Sequence, residues 1–206
     1  RKTLLERLAY GNVDELNAYG FIDVTYKKNK WTINPGLRLD YFKFDYENLL
    51  SESYDNKSED KFFVGPKLNL IYAANPDLQF FSKSGIGFHS NDSRVVTAQS
   101  GEEILPLAIG SDLGSIYKPT DRLVINAAFW YLFLQQEFVY VGDAGIVEPS
   151  GKTERFGVDF GLRYQLTDWL YANGDINYTH ARSTEDPDGE NYIPLAPDLT
   201  SSAGLS

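Results

Sequence analysis

Twelve residues decide the fold class of this chain: Arg155-Phe156-Gly157-Val158-Asp159-Phe160-Gly161-Leu162-Arg163-Tyr164-Gln165-Leu166. Every even-numbered position is apolar, and every odd-numbered position is charged, an amide or a glycine. A period of two is the pattern of a β-strand with one apolar face and one polar face. We therefore predict a long amphipathic strand over this stretch.

A second alternating strand follows a predicted turn at Thr167-Asp168. Strands in soluble proteins usually run about five or six residues, whereas a strand that crosses a bilayer at a tilt needs about nine to eleven. The length of both strands and their polar second face favour the wall of a transmembrane β-barrel. In the second strand one face carries Leu170, Ala172, Ile176 and Tyr178, and the other carries Asn173, Asp175, Asn177 and Thr179.

The composition restricts the alternatives. The chain has 206 residues, a formal net charge of −10 and no Cys. No window approaches 18 uninterrupted apolar residues, which excludes a helical membrane protein. The negative charge argues against a nucleic-acid partner. Without Cys there is no thiolate metal site, and two His residues alone do not provide a tetrahedral zinc site, so we expect neither a metal site nor a cofactor.

The first 20 residues differ from the rest. Thr3 and Glu6 fit a capping box, and Gly11 suits a helix end. The pattern predicts a short surface helix, followed by a loop through Asn12 and Asn17. Residues 1–20 are thus expected to lead into a barrel segment that covers residues 21–206.

The connections between the predicted strands alternate in length. Outer-membrane barrels join their strands by short periplasmic turns and long extracellular loops. We therefore expect an all-β, antiparallel transmembrane barrel segment of roughly nine meander-connected strands. The short connections are Lys28-Asn29, Ala74 to Asp77, Lys118 to Asp121 and Thr167-Asp168, and the long ones are Glu47 to Asp60, Ser90 to Glu103, Gly142 to Lys152 and Ser183 to Asn191.

The predicted strand from Trp31 to Tyr46 shifts its phase. Up to Tyr41 the odd positions are apolar, and from Phe42 the even positions are. A shift by one residue exchanges the two faces, so we expect either a bulge or the exit of the strand from the membrane at this point.

The faces and the turns together assign an orientation. Apolar faces are expected to meet lipid and polar faces the lumen, and aromatic residues to form belts at both interfaces. Tyr72, Tyr117, Tyr164 and Trp169 would form the periplasmic belt, and Phe88 and Tyr178 would belong to the outer one. The predicted lumen-facing residues are Arg38, Asp40, Lys67, Asn69, Asp159, Arg163, Asn173 and Asp175.

A set of ordered motifs resembles the barrel of TonB-dependent outer-membrane receptors. It comprises Val64-Gly65-Pro66-Lys67-Leu68-Asn69-Leu70, then Gly85-Ile86-Gly87-Phe88-His89-Ser90-Asn91-Asp92-Ser93-Arg94, Glu137 to Gly145, Arg155 to Asp159, and Ile193-Pro194-Leu195-Ala196-Pro197. The resemblance implies part of a 22-strand barrel in the outer membrane of a Gram-negative bacterium. It also implies energised uptake of a scarce small-molecule or metal-chelate ligand such as a ferric siderophore, with outer-membrane lipid, a plug domain and the TonB complex as partners. A plug, a TonB box and a terminal aromatic strand are not recognisable, so we expect the parent chain to be longer.

The strand exit at His89, Asn91, Asp92 and Arg94 combines imidazole, amide, carboxylate and guanidinium groups. One interpretation is a ligand-contact cluster at the extracellular mouth. The other is structural, in which Asn91 and Asp92 cap a turn and Arg94 pairs with a neighbouring carboxylate. The acidic run from Asp186 to Asn191 matches a calcium loop only in part, and we interpret it as a solvated loop.

Other function classes remain open at this stage. The sequence contains no G-x-S-x-G, no H-E-x-x-H and no phosphate-binding loop, so we expect no enzyme. A passive porin or an adhesin-type barrel would present the same wall, and a soluble β-sandwich binding module would share the strand pattern.

Overall fold

The computed structural model describes residues 10–50, 55–89, 105–141, 146–149, 151–193 and 196–206. No helix in this part of the chain is long and apolar enough to cross a membrane. The described secondary structure consists of β-strands. They are β1 Gly11–Asp23, β2 Tyr26–Lys28, β3 Trp31–Asn48, β4 Asp55–Asn75, β5 Leu78–Phe88, β6 Leu107–Thr120, β7 Leu123–Leu134, β8 Phe138–Val141, β9 Ile146–Pro149, β10 Thr153–Gln165, β11 Tyr171–Ser183 and β12 Leu199–Leu205.

Ten of these strands form one antiparallel sheet in the order β1-β3-β4-β5-β6-β7-β10-β11-β12, with β2 also paired to β3. Because β1 and β2 both pair with β3, they act as one strand interrupted at Val24-Thr25. The predicted meander is therefore confirmed. Strands β8 and β9 form a separate hairpin. No pairing joins β1 to β12 among the described residues, so the sheet is open.

The register gives the sheet two chemically different faces. One row across five strands consists of Leu113, Phe129, Val158, Tyr178 and Leu199, each paired with the next. These side chains are between 45% and 65% exposed. A row of exposed apolar side chains needs an apolar solvent, which a bilayer provides. We call this side of the sheet the apolar face and the opposite side the polar face.

Strand β3 shows where the apolar face ends. Its odd positions are apolar from Trp31 to Tyr41, and the next ones on that face are Lys43 and Asp45. Each end of the apolar run has an aromatic pair: the rings of Trp31 and Tyr72 are 4.8 Å apart, and those of Tyr41 and Phe62 are 4.7 Å apart. Trp31 to Tyr41 covers about 33 Å along the strand, or about 25 Å along the membrane normal at a tilt of about 40°. That is the height of an outer-membrane apolar band.

The phase shift at Tyr41 is not a bulge. Strand β3 pairs without a register shift along its whole length with β1 and with β4, so the bulge alternative is wrong. The charged residues Lys43 and Asp45 instead continue the face that was apolar, as the second alternative, an exit from the membrane, requires. On the polar face Asp40, Phe42 and Phe44 become buried.

The predicted loop through Asn12 and Asn17 is also wrong, because both residues lie in β1 and pair with β3. Asn12 donates to Glu47 Oε2 at 2.8 Å. The alternation is weak here because much of β1 lies beside the part of β3 beyond Tyr41, where neither face meets lipid. The predicted helix at Thr3 to Glu6 lies outside the described residues.

The long connections differ in their bounds from the predicted ones. Most of Glu47 to Asp60 belongs to paired strands, since β3 continues to Asn48 and β4 begins at Asp55. Part of the third connection forms the β8–β9 hairpin, and the last strand begins at Leu199 rather than Ile193. Strands outside a bilayer need no apolar face toward lipid, so the lipid-facing alternation ends although the backbone pairing continues.

The short connections are confirmed and lie at one end of the sheet. Asn29, which has a positive φ of 54°, lies in the first turn. In the last one the N–H groups of Leu166 and Thr167 donate to the carbonyl oxygen of Leu170 at 2.9 and 3.2 Å. Two neighbouring turns are linked by Arg122 Nη2, which lies 2.6 Å from Asp168 Oδ1.

Candidate functional site

All the predicted lumen residues share the polar face. The register places Lys67 opposite Gly36 and Gly85, and Asn173 opposite Arg163, on the side away from the exposed apolar row. That this face lines the lumen of a closed barrel remains a prediction.

The charged group on β1 and β3 is centred on Asp40, which is 1% exposed. Arg38 donates through Nε and Nη2 to the two carboxylate oxygens, both at 2.8 Å, and Asn17 donates to Oδ1 at 3.3 Å. The guanidinium also lies over the ring of Tyr19, 4.1 Å from its centroid. A carboxylate satisfied by three donors is tolerated in this buried position because its lone pairs are occupied.

A second charged group lies nearer the short turns. Lys67 Nζ is 2.5 Å from Asp23 Oδ2. Asn34 donates to Asp23 Oδ1 at 2.6 Å, and Asn69 donates to Asn34 Oδ1 at 2.9 Å. This chain of contacts crosses from β4 through β3 to the end of β1, so it fixes three strands relative to one another.

Strands β10 and β11 carry a matching ion pair. Arg163 Nη2 contacts both carboxylate oxygens of Asp175, at 2.9 and 3.0 Å. Asp159 accepts the indole N–H of Trp130 at 3.1 Å. Asp159 and Arg163 are therefore bound by partners on the neighbouring strands, β7 and β11.

A cavity of about 510 Å³ occupies the polar face nearer the long connections. In it Arg155 forms an ion pair with Glu137, which also accepts the hydroxyl of the buried Thr153 at 3.1 Å. The sequence places Arg155 on the polar face but does not identify Glu137 as its partner, because the two lie on different elements. The cavity lining includes Trp130, Leu132, Thr179, Ile193, Pro197 and Thr200.

A small aromatic cluster covers another part of the polar face. Phe42, Phe44 and Leu105 are buried, and Phe63 and Phe88 pack against them. The ring of Phe88 is 5.2 Å from that of Phe42 and 4.8 Å from that of Phe63. The assignment of Phe88 to the outer aromatic belt is therefore wrong, because its ring joins this cluster.

The proposed ligand-contact run is described only at its first residue. His89 is exposed and follows β5 directly, and its N–H donates to the carbonyl oxygen of Pro106 at 3.0 Å. Asn91, Asp92 and Arg94 lie outside the described residues.

In the acidic run from Asp186 to Asn191, the N–H of Glu190 donates to the carbonyl oxygen of Pro187 at 3.0 Å. The described residues include no group of three His, Asp or Glu that could hold a metal ion.

Beyond the apolar band, Lys43 and Asp45 form a half-exposed ion pair of 2.9 Å. The hydroxyl of Ser58 and then the ammonium group of Lys43 donate to Asp45 and lower the pKa of its carboxyl below its ordinary value. Charged side chains at these two positions indicate that this end of β3 lies in water.

The sequence matches the model of TonB-dependent receptor-like β-barrels over residues 5–206. This chain belongs to that family. A curated relative, the probable TonB-dependent receptor BfrD of Bordetella pertussis, is 24% identical over 170 residues, which cover 76% of this chain and 22% of the relative. The chain thus spans about a fifth of that receptor.

Solved structures have the same fold as this TonB-dependent receptor segment. The unliganded ferric citrate transporter FecA superposes with a TM-score of 0.78 at 19% identity, covering 94% of this chain and 30% of FecA. The ferric yersiniabactin uptake receptor FyuA of Yersinia pestis gives 0.75 at 16% identity, covering 95% and 32%. The family locates the segment in the outer membrane of a Gram-negative bacterium.

Proposed function

We propose that this chain is part of the barrel of a receptor that takes up a scarce ligand, such as a ferric siderophore, with energy supplied through TonB. The match of residues 5–206 to the receptor-barrel family carries the proposal. FecA and FyuA are named as a ferric citrate transporter and a ferric yersiniabactin uptake receptor.

In this proposal the polar face lines the lumen and contacts the plug domain or lumen water. Its ion pairs support that role. Arg38, Lys67 and Arg163 each have a carboxylate partner on the sheet itself. These three cations do not need a charged group of the plug or the ligand as a partner, because each is already paired within the wall.

The long connections would capture the ligand, and His89, Asn91, Asp92 and Arg94 would contribute contacts at the mouth. The cavity at Glu137 and Arg155 lies on the same polar face nearer the long connections and offers room for part of a small ligand. The proposal includes no chemical change of the ligand, so the barrel acts as a transporter rather than as an enzyme.

Uptake of radioactive iron by whole cells tests the proposal. The full-length gene is expressed in a Gram-negative strain that lacks its own siderophore receptors, and a panel of iron-55 siderophores is offered at nanomolar concentration. We expect uptake of at least one chelate in cells with TonB and none in matched cells without TonB.

The alternatives give different results in the same assay. A passive porin would admit small solutes equally with and without TonB. An adhesin would hold a macromolecule at the cell surface and transport nothing. A soluble β-sandwich module would be absent from the outer-membrane fraction of the cells. Any of these outcomes would contradict the proposed uptake.

A further inference from the structure

Arg182 differs from the other arginines of the described residues. Arg38, Arg122, Arg155 and Arg163 each form an ion pair with a carboxylate. Arg182 forms none, although Glu154 lies directly opposite it in the β10–β11 register. Its guanidinium lies over the ring of Tyr192, 4.2 Å from the centroid, and Nη1 donates to its neighbour's carbonyl oxygen at 2.7 Å.

The nearby carboxylate is engaged elsewhere. Glu154 accepts the hydroxyl of Tyr131 at 3.0 Å. The next residue pair toward the membrane is Phe156 with His180, whose rings are 4.9 Å apart. Most of the N–H donors of Arg182 therefore remain available on a surface bordered by aromatic rings.

The position of Arg182 along the strand fixes its depth. On β10 the apolar face runs from Tyr164 to Phe156 and changes to Glu154, which parallels the change from Tyr41 to Lys43 on β3. Glu154 and Arg182 thus lie on the lipid-facing side just above the apolar band. In an outer membrane this is the level of the phosphorylated headgroups of the outer leaflet.

From this depth and this unpaired cation we infer that Arg182, with Tyr192 and His180, binds a phosphate group on the lipid A headgroup of outer-leaflet lipopolysaccharide. A guanidinium matches the oxygen spacing of a phosphate and binds it through two N–H donors. The tyrosine and phenylalanine rings pack against the adjoining sugar and acyl chains. At the matching level of β3, Lys43 is not available for such a contact, because it is paired with Asp45.

Native mass spectrometry of the full-length, delipidated receptor in detergent tests this binding. The probe is bis-phosphorylated lipid A, and dephosphorylated lipid A serves as the second arm. A single arginine near a charged membrane surface contributes about a five-fold change in affinity. We expect Arg182→Gln to bind the phosphorylated lipid about five-fold more weakly than wild type, and Arg182→Lys to retain most of the affinity.

Arg122→Gln is the matched control, since it removes the same charge at the opposite end of the sheet. Its affinity is expected to equal that of wild type. Equal affinity of Arg182→Gln and Arg122→Gln would overturn the inference, as would equal binding of the two lipids to wild type. If Arg182→Gln does not fold, the comparison of the two lipids on wild type and on Arg182→Lys still decides. This binding measurement requires neither the transported ligand nor TonB. Its result therefore does not depend on whether the proposed uptake function is correct.

Discussion

The two faces of β10 predict opposite responses to an added positive charge. Phe160 lies on the apolar face, 40% exposed, opposite Ala127 and Ile176. It is midway between Phe156 and Tyr164, about 10 Å of membrane depth from either. Phe160→Lys therefore places an ammonium group near the centre of the bilayer, at a cost of about 2–4 kcal/mol.

Asn177→Lys is the matched substitution on the polar face. Asn177 lies directly opposite Asp159, so the new ammonium group faces water and a carboxylate. We expect a change within about 0.5 kcal/mol, as for a surface position. Asp159→Lys should lie between the two, at about 1–2 kcal/mol, because it removes the acceptor of the Trp130 indole N–H.

The free energy of unfolding of the full-length protein, folded into phosphatidylcholine vesicles and titrated with guanidinium, measures these costs. The expected order of loss is Phe160→Lys, then Asp159→Lys, then Asn177→Lys. Equal losses at Phe160 and Asn177 would refute the assignment of the two faces, because an added charge is expected to be costly only on the face that meets lipid.

Three further predictions use the same unfolding assay. Phe44→Ala removes a fully buried ring and should cost about 3–5 kcal/mol, whereas Phe62→Ala, at a position 74% exposed, should cost clearly less; similar losses would contradict the aromatic cluster. Gly157→Ala should destabilise by about 1–3 kcal/mol, because its Cβ would meet the carbonyl oxygen of Tyr178 and the indole of Trp130. Gly110→Ala should cost less, because a Cβ there meets open space, and the reverse order would show that the register is wrong. The carboxyl of Asp45 has a lowered pKa when folded, so its stabilising effect is present above its ordinary value of 3.8 and is lost as pH falls through the lowered pKa; Asp45→Asn should flatten that acid dependence, and an unchanged slope would count against the ion pair.

The sequence alone determined the fold class and the two faces. From Arg155 to Leu166 each side chain has the chemistry of the side to which the register assigns it, because a strand in a bilayer meets lipid on one face and polar groups on the other. The short turns also followed from local chemistry, as at Thr167-Asp168. The polar positions Arg38, Lys67 and Asp159 could be assigned to one face for the same reason.

Only the tertiary structure decided the partners and the limits of the strands. Asp23 meets Lys67, and Glu137 meets Arg155, across elements whose register the local sequence does not encode. The strand character of Asn12 and Asn17 was hidden because backbone pairing outside the membrane requires no alternation of side chains. The shift at Tyr41 had two possible causes in the sequence, and the continuous register of β3 left one: lipid ends at this level, and the aromatic side chains beyond it pack on the other face.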